Sequence, residues 1–396
     1  MDSSRKNSSL YIDEKVVSTL ALLKSGLISP VDKLMGEKEA KEVDETKIYR
    51  GVSFPFSSIL APKGKRNHNI LEKLQKGDVV DLINLNKKVG EIIVDEVFPI
   101  DIEKRLINIY GTKDTSHPGV RNTISRLGKI AISGEYTVDY PLIQDNINRI
   151  QNLKEKINAT TVSSMMLSAN PFNRAHERMI RQALNDSDML VIFLRKPFTT
   201  DGLRYDIRYN ALSAFIDNFL PNNRVIIIPF ENSYMFSGYN ELILDALISK
   251  NYGCNQLVVG KNHGGLGLYY DKNRLNSILD DAKELDIDIK TIDEYVYCDT
   301  CNTLVTTNTC QHGQHNHIHY HSESILQLIQ SGLIPPAILM RKEVSASILT
   351  ALFPERFKNL QEMHYYLMPG SGLLEQQSEE QFYLNLMKLY QTSSLT

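Results

Sequence analysis

Apolar and polar positions follow two different rhythms along this chain. Up to about residue 150 the apolar runs are short. Asp78-Val79-Val80-Asp81-Leu82-Ile83 and Val89-Gly90-Glu91-Ile92-Ile93-Val94 flank a polar turn with Asn84, Asn86 and two lysines, the pattern of paired strands. Residues 109–120 hold Gly111, Pro118 and Gly119 with no helical period, and are expected to form a surface loop between strands. Beyond residue 150, apolar runs at 161–167, 189–194, 224–229 and 256–260 alternate with helical stretches ending near Leu184 and covering 207–219 and 240–250. That alternation predicts a parallel sheet with helices on both faces. Ligands of such sheets bind beyond the carboxyl ends of the strands, the edge onto which Asn170 and the loops 230–238 and 260–267 open. A helical tail starts near Ser322 and breaks at Pro335-Pro336.

The stretch from Leu167 to Arg181 links the first of those apolar runs to the first helix. Pro171 suits a helix start and not a central strand, which puts Asn170 and Asn173 in the turn. Asn173 and His176 are three residues apart, so both can point from the first helical turn to one spot. Free backbone N–H groups and the positive dipole end would favour an anion there. This predicts a phosphate-handling loop. The plainer alternative is an ordinary turn whose asparagine caps a helix and whose histidine is structural.

Composition narrows the classes. A net charge of −3 on 396 residues, 42% of them hydrophobic, fits a soluble globular protein of two or three domains, and gives no reason to expect nucleic acid or a membrane as partner. Residues 1–9 are polar and do not resemble a signal peptide, and no apolar run reaches the roughly 18 residues that cross a bilayer. A cytoplasmic location is expected. Of four cysteines, Cys298, Cys301 and Cys310 lie in one short segment. In a reducing compartment that spacing favours a metal over a disulfide. Two thiolates two residues apart, a third and a histidine can close a tetrahedral, structural Zn²⁺ site. His315 is the preferred fourth ligand, because the step from Cys310 to the alternative, His312, is cramped. His317, His319 and His321 read as bystanders, and Cys254 as a buried, inert thiol.

Several separated segments then resemble bacterial ATP sulfurylase (sulfate adenylyltransferase). Gly26-Leu27-Ile28-Ser29-Pro30 is similar to that family's "GxxSP". Gly111-Thr112-Lys113-Asp114 with His117-Pro118-Gly119-Val120 is similar to its "GTxDxxHPGV", and residues 167–176 fall on its "QTRNPxHRAH" loop. Gly238-Tyr239-Asn240-Glu241 with Lys250-Asn251-Tyr252-Gly253-Cys254 resembles "GPRE…RKNYGC". Gly260-Lys261-Asn262-His263-Gly264-Gly265 resembles "GRDHAG", and Pro335-Pro336 with Arg341-Lys342-Glu343-Val344 resembles "PP…RPEV". The resemblance implies an α/β chain in three parts: an N-terminal β-rich PUA-like domain (1–155), a Rossmann-like nucleotidyltransferase domain with a parallel sheet and a zinc knuckle at 298–315 (156–325), and a small C-terminal helical domain (326–396).

The implied reaction joins sulfate to the α-phosphate of ATP, giving adenylyl sulfate and pyrophosphate, with Mg²⁺ arriving on the nucleotide. Ser168, Asn170 and His176 are the implied catalytic residues. Asn173, Gly238, Gly260, Asn262, His263 and Gly265 are the implied nucleotide contacts. Small molecules (ATP, and sulfate or another oxyanion) are the implied partners, and a homo-oligomer the implied assembly. The chain departs from the family where the chemistry happens: Ala169 stands at the sulfate-binding arginine, Asn173 at the first histidine, Lys261-Asn262 at Arg-Asp, and Leu326 at a later arginine. Arg174, Arg178, Arg195 and Lys261 are the nearby cations. The competing functions are an adenylyltransferase for a different oxyanion and a nucleotide-binding member without catalysis.

Overall fold

The computed structural model describes residues 8–196, 202–231, 240–261, 285–368 and 376–390. The chain packs as two compact units, Met1–Ser164 with Glu231–Thr291, and Met165–Phe230 with Ile292–Thr396.

The first unit opens with strand β1 (Ser8–Tyr11), helices α1 (Glu14–Lys24) and α2 (Glu37–Thr46), and short strands β2 (Ile48–Tyr49), β3 (Val52–Ser53) and β4 (Leu60–Pro62). Helix α3 (Lys65–Leu71), strands β5 (Val79–Asn84) and β6 (Lys87–Pro99), helices α4 (Ile102–Tyr110) and α5 (Pro118–Arg126), strand β7 (Leu127–Val138) and helix α6 (Leu142–Lys156) follow. The sheet order is β1-β5-β6-β7-β4. Alternate residues of β5 are buried, as expected of a sheet with one face on a core, and Val80, Leu82, Ile92 and Ile132 are fully enclosed there. The expected loop at 109–120 is only half a loop. His117 accepts from the N–H groups of Gly119 (3.1 Å) and Val120 (3.4 Å) and caps α5, with Pro118 in the first helical position. Helices therefore share this β-rich region with the sheet.

A parallel sheet carries the predicted alternation: β8 (Val162–Leu167), α7 (Arg174–Asn185), β9 (Met189–Arg195), α8 (Tyr205–Phe219), β10 (Val225–Phe230), α9 (Asn240–Asn251), β11 (Gln256–Gly260) and β12 (Asp288–Ile292). Its strand order is β10-β9-β8-β11-β12. Within the first unit β11 runs parallel to the start of β8, Gln256 opposite Ser163. Within the second, β10 runs parallel to β9, Val225 opposite Leu190. Every residue of β9 is buried, so its apolar run is continuous and does not alternate.

The second unit continues with a small antiparallel sheet, β13 (Tyr295–Cys298), β14 (Thr303–Thr306) and β15 (His317–His319), in the order β14-β13-β15. Helices α10 (Ser322–Gln330), α11 (Lys342–Leu352), α12 (Leu360–Leu367) and α13 (Glu379–Tyr390) form the helical tail. No helix among the described residues is long and apolar enough to cross a membrane.

Candidate functional site

The loop that leaves β8 is built on two polar side chains. Ala169 is buried with φ +49°, a left-handed conformation that costs a non-glycine residue about 1–2 kcal/mol. Asn170 Oδ1 accepts from the N–H of Leu203 (2.9 Å). Arg208, on the first turn of α8 and only 5% exposed, donates from Nε to the carbonyl of Leu203 (2.6 Å) and from Nη1 to the carbonyl of Ser168 (3.3 Å). Burial lowers the Arg208 guanidinium to about 10. Gly202 lets these groups approach one another: a methyl at that position would stand 2.5 Å from Asn170 Nδ2 and 2.7 Å from Arg208 Nη2. Ser168 is exposed.

Pro171 does not begin the helix. The Asn170-Pro171 peptide is cis, and α7 starts at Arg174 because Asn173 is its cap. Asn173 Oδ1 accepts from the N–H groups of Ala175 (3.1 Å) and His176 (3.3 Å), while His176 Nδ1 accepts from the N–H of Asn173 (3.1 Å). This is a reciprocal capping box with histidine in the place usually taken by Glu or Gln. The remaining first-turn donors are also used: Arg174 N–H bonds the carbonyl of Leu339 (3.0 Å) and Glu177 N–H that of Asn173 (3.2 Å). The free N–H groups expected for an anion are absent, and the two side chains hold each other.

His176 is neutral. Burial brings its imidazole down to about 4, and its ring stacks on Phe172 with centroids 5.7 Å apart. With Nδ1 accepting, the proton sits on Nε2, which is the donor left for a ligand.

One turn further along α7, Glu177 is a buried carboxylate held by two arginines. Arg341 reaches it from Nε (3.1 Å) and Nη2 (2.8 Å), and Arg174 from Nη1 (3.1 Å). The Arg341 guanidinium also lies 3.9 Å over the Phe219 ring. Arg174 Nε donates to the carbonyl of Ala337 (3.0 Å). The Arg174 charge is thus paired with Glu177, and Arg195 is buried in β9 with partners of its own.

Cys298, Cys301, Cys310 and His312 place one ligand atom each within 4.8 Å of one another. The Cys301 and Cys310 sulfurs are 3.9 Å apart. His312 Nδ1 lies 3.4, 3.2 and 3.5 Å from the sulfurs of Cys298, Cys301 and Cys310. Tetrahedral Zn–S bonds of ~2.3 Å and Zn–N bonds of ~2.0 Å imply S···S near ~3.8 Å and S···N near ~3.5 Å, so the cluster fits such an ion. The N–H of Cys301 points to the sulfur of Cys298 (3.4 Å). Burial opposes ionisation of Cys298, but that N–H and the neighbouring thiols outweigh it and bring the thiol to about 7. The fourth member is therefore His312 and not His315. His315 lies in a tight turn, Gln314–Asn316, with its ring folded against Gly313. His319 instead meets Glu294 (3.0 Å).

The ATP-sulfurylase family model matches residues 143–351, and the PUA-like domain model residues 1–139. The chain belongs to the ATP-sulfurylase family. A sulfate adenylyltransferase of Chloroflexus aurantiacus is 27% identical over 87% of this chain and 91% of that protein. One from Persephonella marina is 26% identical over 85% of this chain and 89% of that protein. Among solved structures, a hexameric APS kinase from Thiobacillus denitrificans superposes with a TM-score of 0.63 at 16% identity, covering 87% of this chain and 63% of that one. That likeness is one of fold.

Within this ATP-sulfurylase family chain, the structure brings Ser168, Asn170, Asn173 and His176 into one loop. Gly260 closes β11 in the first unit, while Gly238, Asn262, His263 and Gly265 lie outside the described residues. Cys254 is buried and its thiol is pushed up to about 12 by that burial, as expected of an inert cysteine. Sequence reasoning missed Arg208 and Glu177. Neither carries a local signal, since an arginine and a glutamate on helices ordinarily face water.

Proposed function

We propose that the chain is a sulfate adenylyltransferase. A sulfate oxygen attacks the α-phosphorus of ATP, the bond to the β-phosphate bridge breaks, and pyrophosphate leaves with the electron pair. Two polyanions must be brought together, so positioning and charge neutralisation carry the catalysis. Membership of the ATP-sulfurylase family over 143–351 is the observation that carries this reading. The loop within that stretch supports it, since Ser168 is exposed and His176 is a neutral Nε2 donor. In this reading Ser168, Asn170 and His176 serve the reacting groups. Gly238, Gly260, Asn262, His263 and Gly265 shape the nucleotide side, and Asn173 acts by fixing the loop. Mg²⁺ comes with ATP.

Cys298, Cys301, Cys310 and His312 would hold a Zn²⁺ ion. With four protein ligands the ion would brace the β13–β15 knuckle and leave no position open for chemistry. A three-part division at 155 and 325 and a cytoplasmic location belong to the same proposal. Self-association is supported by the exposed Tyr365, Tyr366 and Tyr390 on α12 and α13.

The second reading, a nucleotide-binding member without turnover, is favoured by Ala169 and Asn173 at family basic positions. Pyrophosphate release from MgATP with sulfate, and with a panel of other oxyanions, decides among the readings. Sulfate-dependent release upholds the proposal. Silence with every anion supports the second reading, and release with another anion alone reassigns the acceptor.

A further inference from the structure

Among the described residues Arg208 has no counter-charge within hydrogen-bond distance. Its side chain is almost wholly enclosed, and among the described residues its partners are the carbonyls of Leu203 and Ser168, with no carboxylate. A buried ion is strongly disfavoured unless it is paired. The partly buried arginines near the loop show how such charges are met here: Arg341 and Arg174 both grip Glu177. Two carbonyls use only two of the guanidinium's donors.

Its surroundings say where the missing negative charge belongs. Asn170 Nδ2 (2.5 Å), Arg208 Nη2 (2.7 Å) and Asn170 Oδ1 (2.9 Å) all crowd the point where a Gly202 methyl would sit. An N–H-bearing amide and an N–H-bearing guanidinium therefore converge at bare backbone. Asn170 Oδ1 is already used on Leu203 N–H, so its free face is the donor amide. Arg208 is also on the first turn of α8, where the helix dipole adds to the positive potential. This convergence lies beside the exposed Ser168, beyond the carboxyl end of β8, where open parallel sheets bind ligands.

We propose that Arg208 and the amide of Asn170 together form the binding point for the acceptor oxyanion, a tetrahedral dianion such as sulfate. The assignment of that anion as acceptor rests on the adenylyltransferase reading above. The pairing supplies a planar, charge-assisted fork from α8, so the loop can keep alanine at 169 and still hold a dianion.

Calorimetric titration of sulfate into the full-length protein, with and without magnesium α,β-methylene-ATP, tests this, beside thermal unfolding of each variant. Arg208→Gln is expected to weaken sulfate binding by roughly 10- to 100-fold while the nucleotide analogue binds within about threefold of the native protein. Arg208→Lys should recover part of the loss. Should Arg208→Gln fail to fold, Gly202→Ala puts a methyl between the two donors and is expected to weaken sulfate selectively. Sulfate affinity unchanged in a folded Arg208→Gln or Gly202→Ala protein overturns the proposal, as does a native protein that binds no sulfate. Sulfate binding that depends on Arg208 without pyrophosphate release upholds it and removes the catalytic reading. Release that survives loss of Arg208 does the reverse.

Discussion

Asn173 and His176 each bond the other's backbone: the asparagine oxygen takes the N–H of His176 at 3.3 Å, and the imidazole Nδ1 takes the N–H of Asn173 at 3.1 Å. The loop beyond β8 is therefore fixed by the two side chains that look most like ligands. Asn173→Ala removes an acceptor serving two part-buried N–H groups, and should cost about 1–2 kcal/mol of stability. Asn173→Asp, which keeps the acceptor, should cost far less. Urea unfolding of both variants checks this, and equal losses would show that the cap is not what Asn173 contributes.

The same pair predicts an acid sensitivity. His176 titrates near 4 in the folded chain against 6.5 when free, so it binds its proton more weakly when folded. As pH falls from about 6.5 to about 4, the unfolded chain takes up that proton first and the fold loses stability. Above 6.5 His176 adds no pH dependence. His176→Gln keeps a third-position capping partner and removes the titration. The stability difference between pH 7.5 and pH 5 should be smaller in the variant. Matching differences in the two proteins would refute the assignment.

Glu177 needs its arginines. Arg341→Ala leaves a buried carboxylate with Arg174 alone, and is expected to cost about 3–5 kcal/mol. Glu177→Gln with Arg341→Met should cost less than the two single losses combined, because only Arg174, which is partly open to water, is left without its carboxylate. Guanidinium denaturation of the three variants gives the coupling. A loss under about 1 kcal/mol for Arg341→Ala would place the pair among ordinary surface contacts.

The thiol cluster predicts about one zinc per chain by elemental analysis. Cys301→Ser and His312→Ala should lose the metal, and His315→Ala should keep it. Retention by His312→Ala with loss by His315→Ala would restore the other ligand set. Since ligand thiols bind as thiolates, zinc affinity should fall as the medium is acidified.

How much of this was legible depended on how local each cause is. Strand β9 announced itself most clearly, because a parallel strand buried at every residue reads as a continuous apolar run. Helix α5 was missed because its cap is a histidine, outside the usual set of capping side chains. The thiol cluster was legible from cysteine spacing, but its histidine was not. The choice turned on a chain step judged too tight, and the turn at 313–316 resolves it by carrying His315 away. The anion site predicted at α7 assumed open N–H groups, and Asn173 fills them. Arg208 was invisible, because one of its two hydrogen-bond partners, the carbonyl of Ser168, lies 40 residues away in the chain.

Arg174 ties the start of α7 to the carbonyls of Ala337 and Leu339, and the first of these lies 163 residues further along the chain. At ~5–20 residues per second a ribosome needs roughly 10–30 s to cover that distance. During synthesis the loop at 168–176 thus emerges long before the segment that anchors it. The site is among the last parts of the molecule to be completed, so a nascent or truncated chain ending before Pro336 would carry the loop without its anchor.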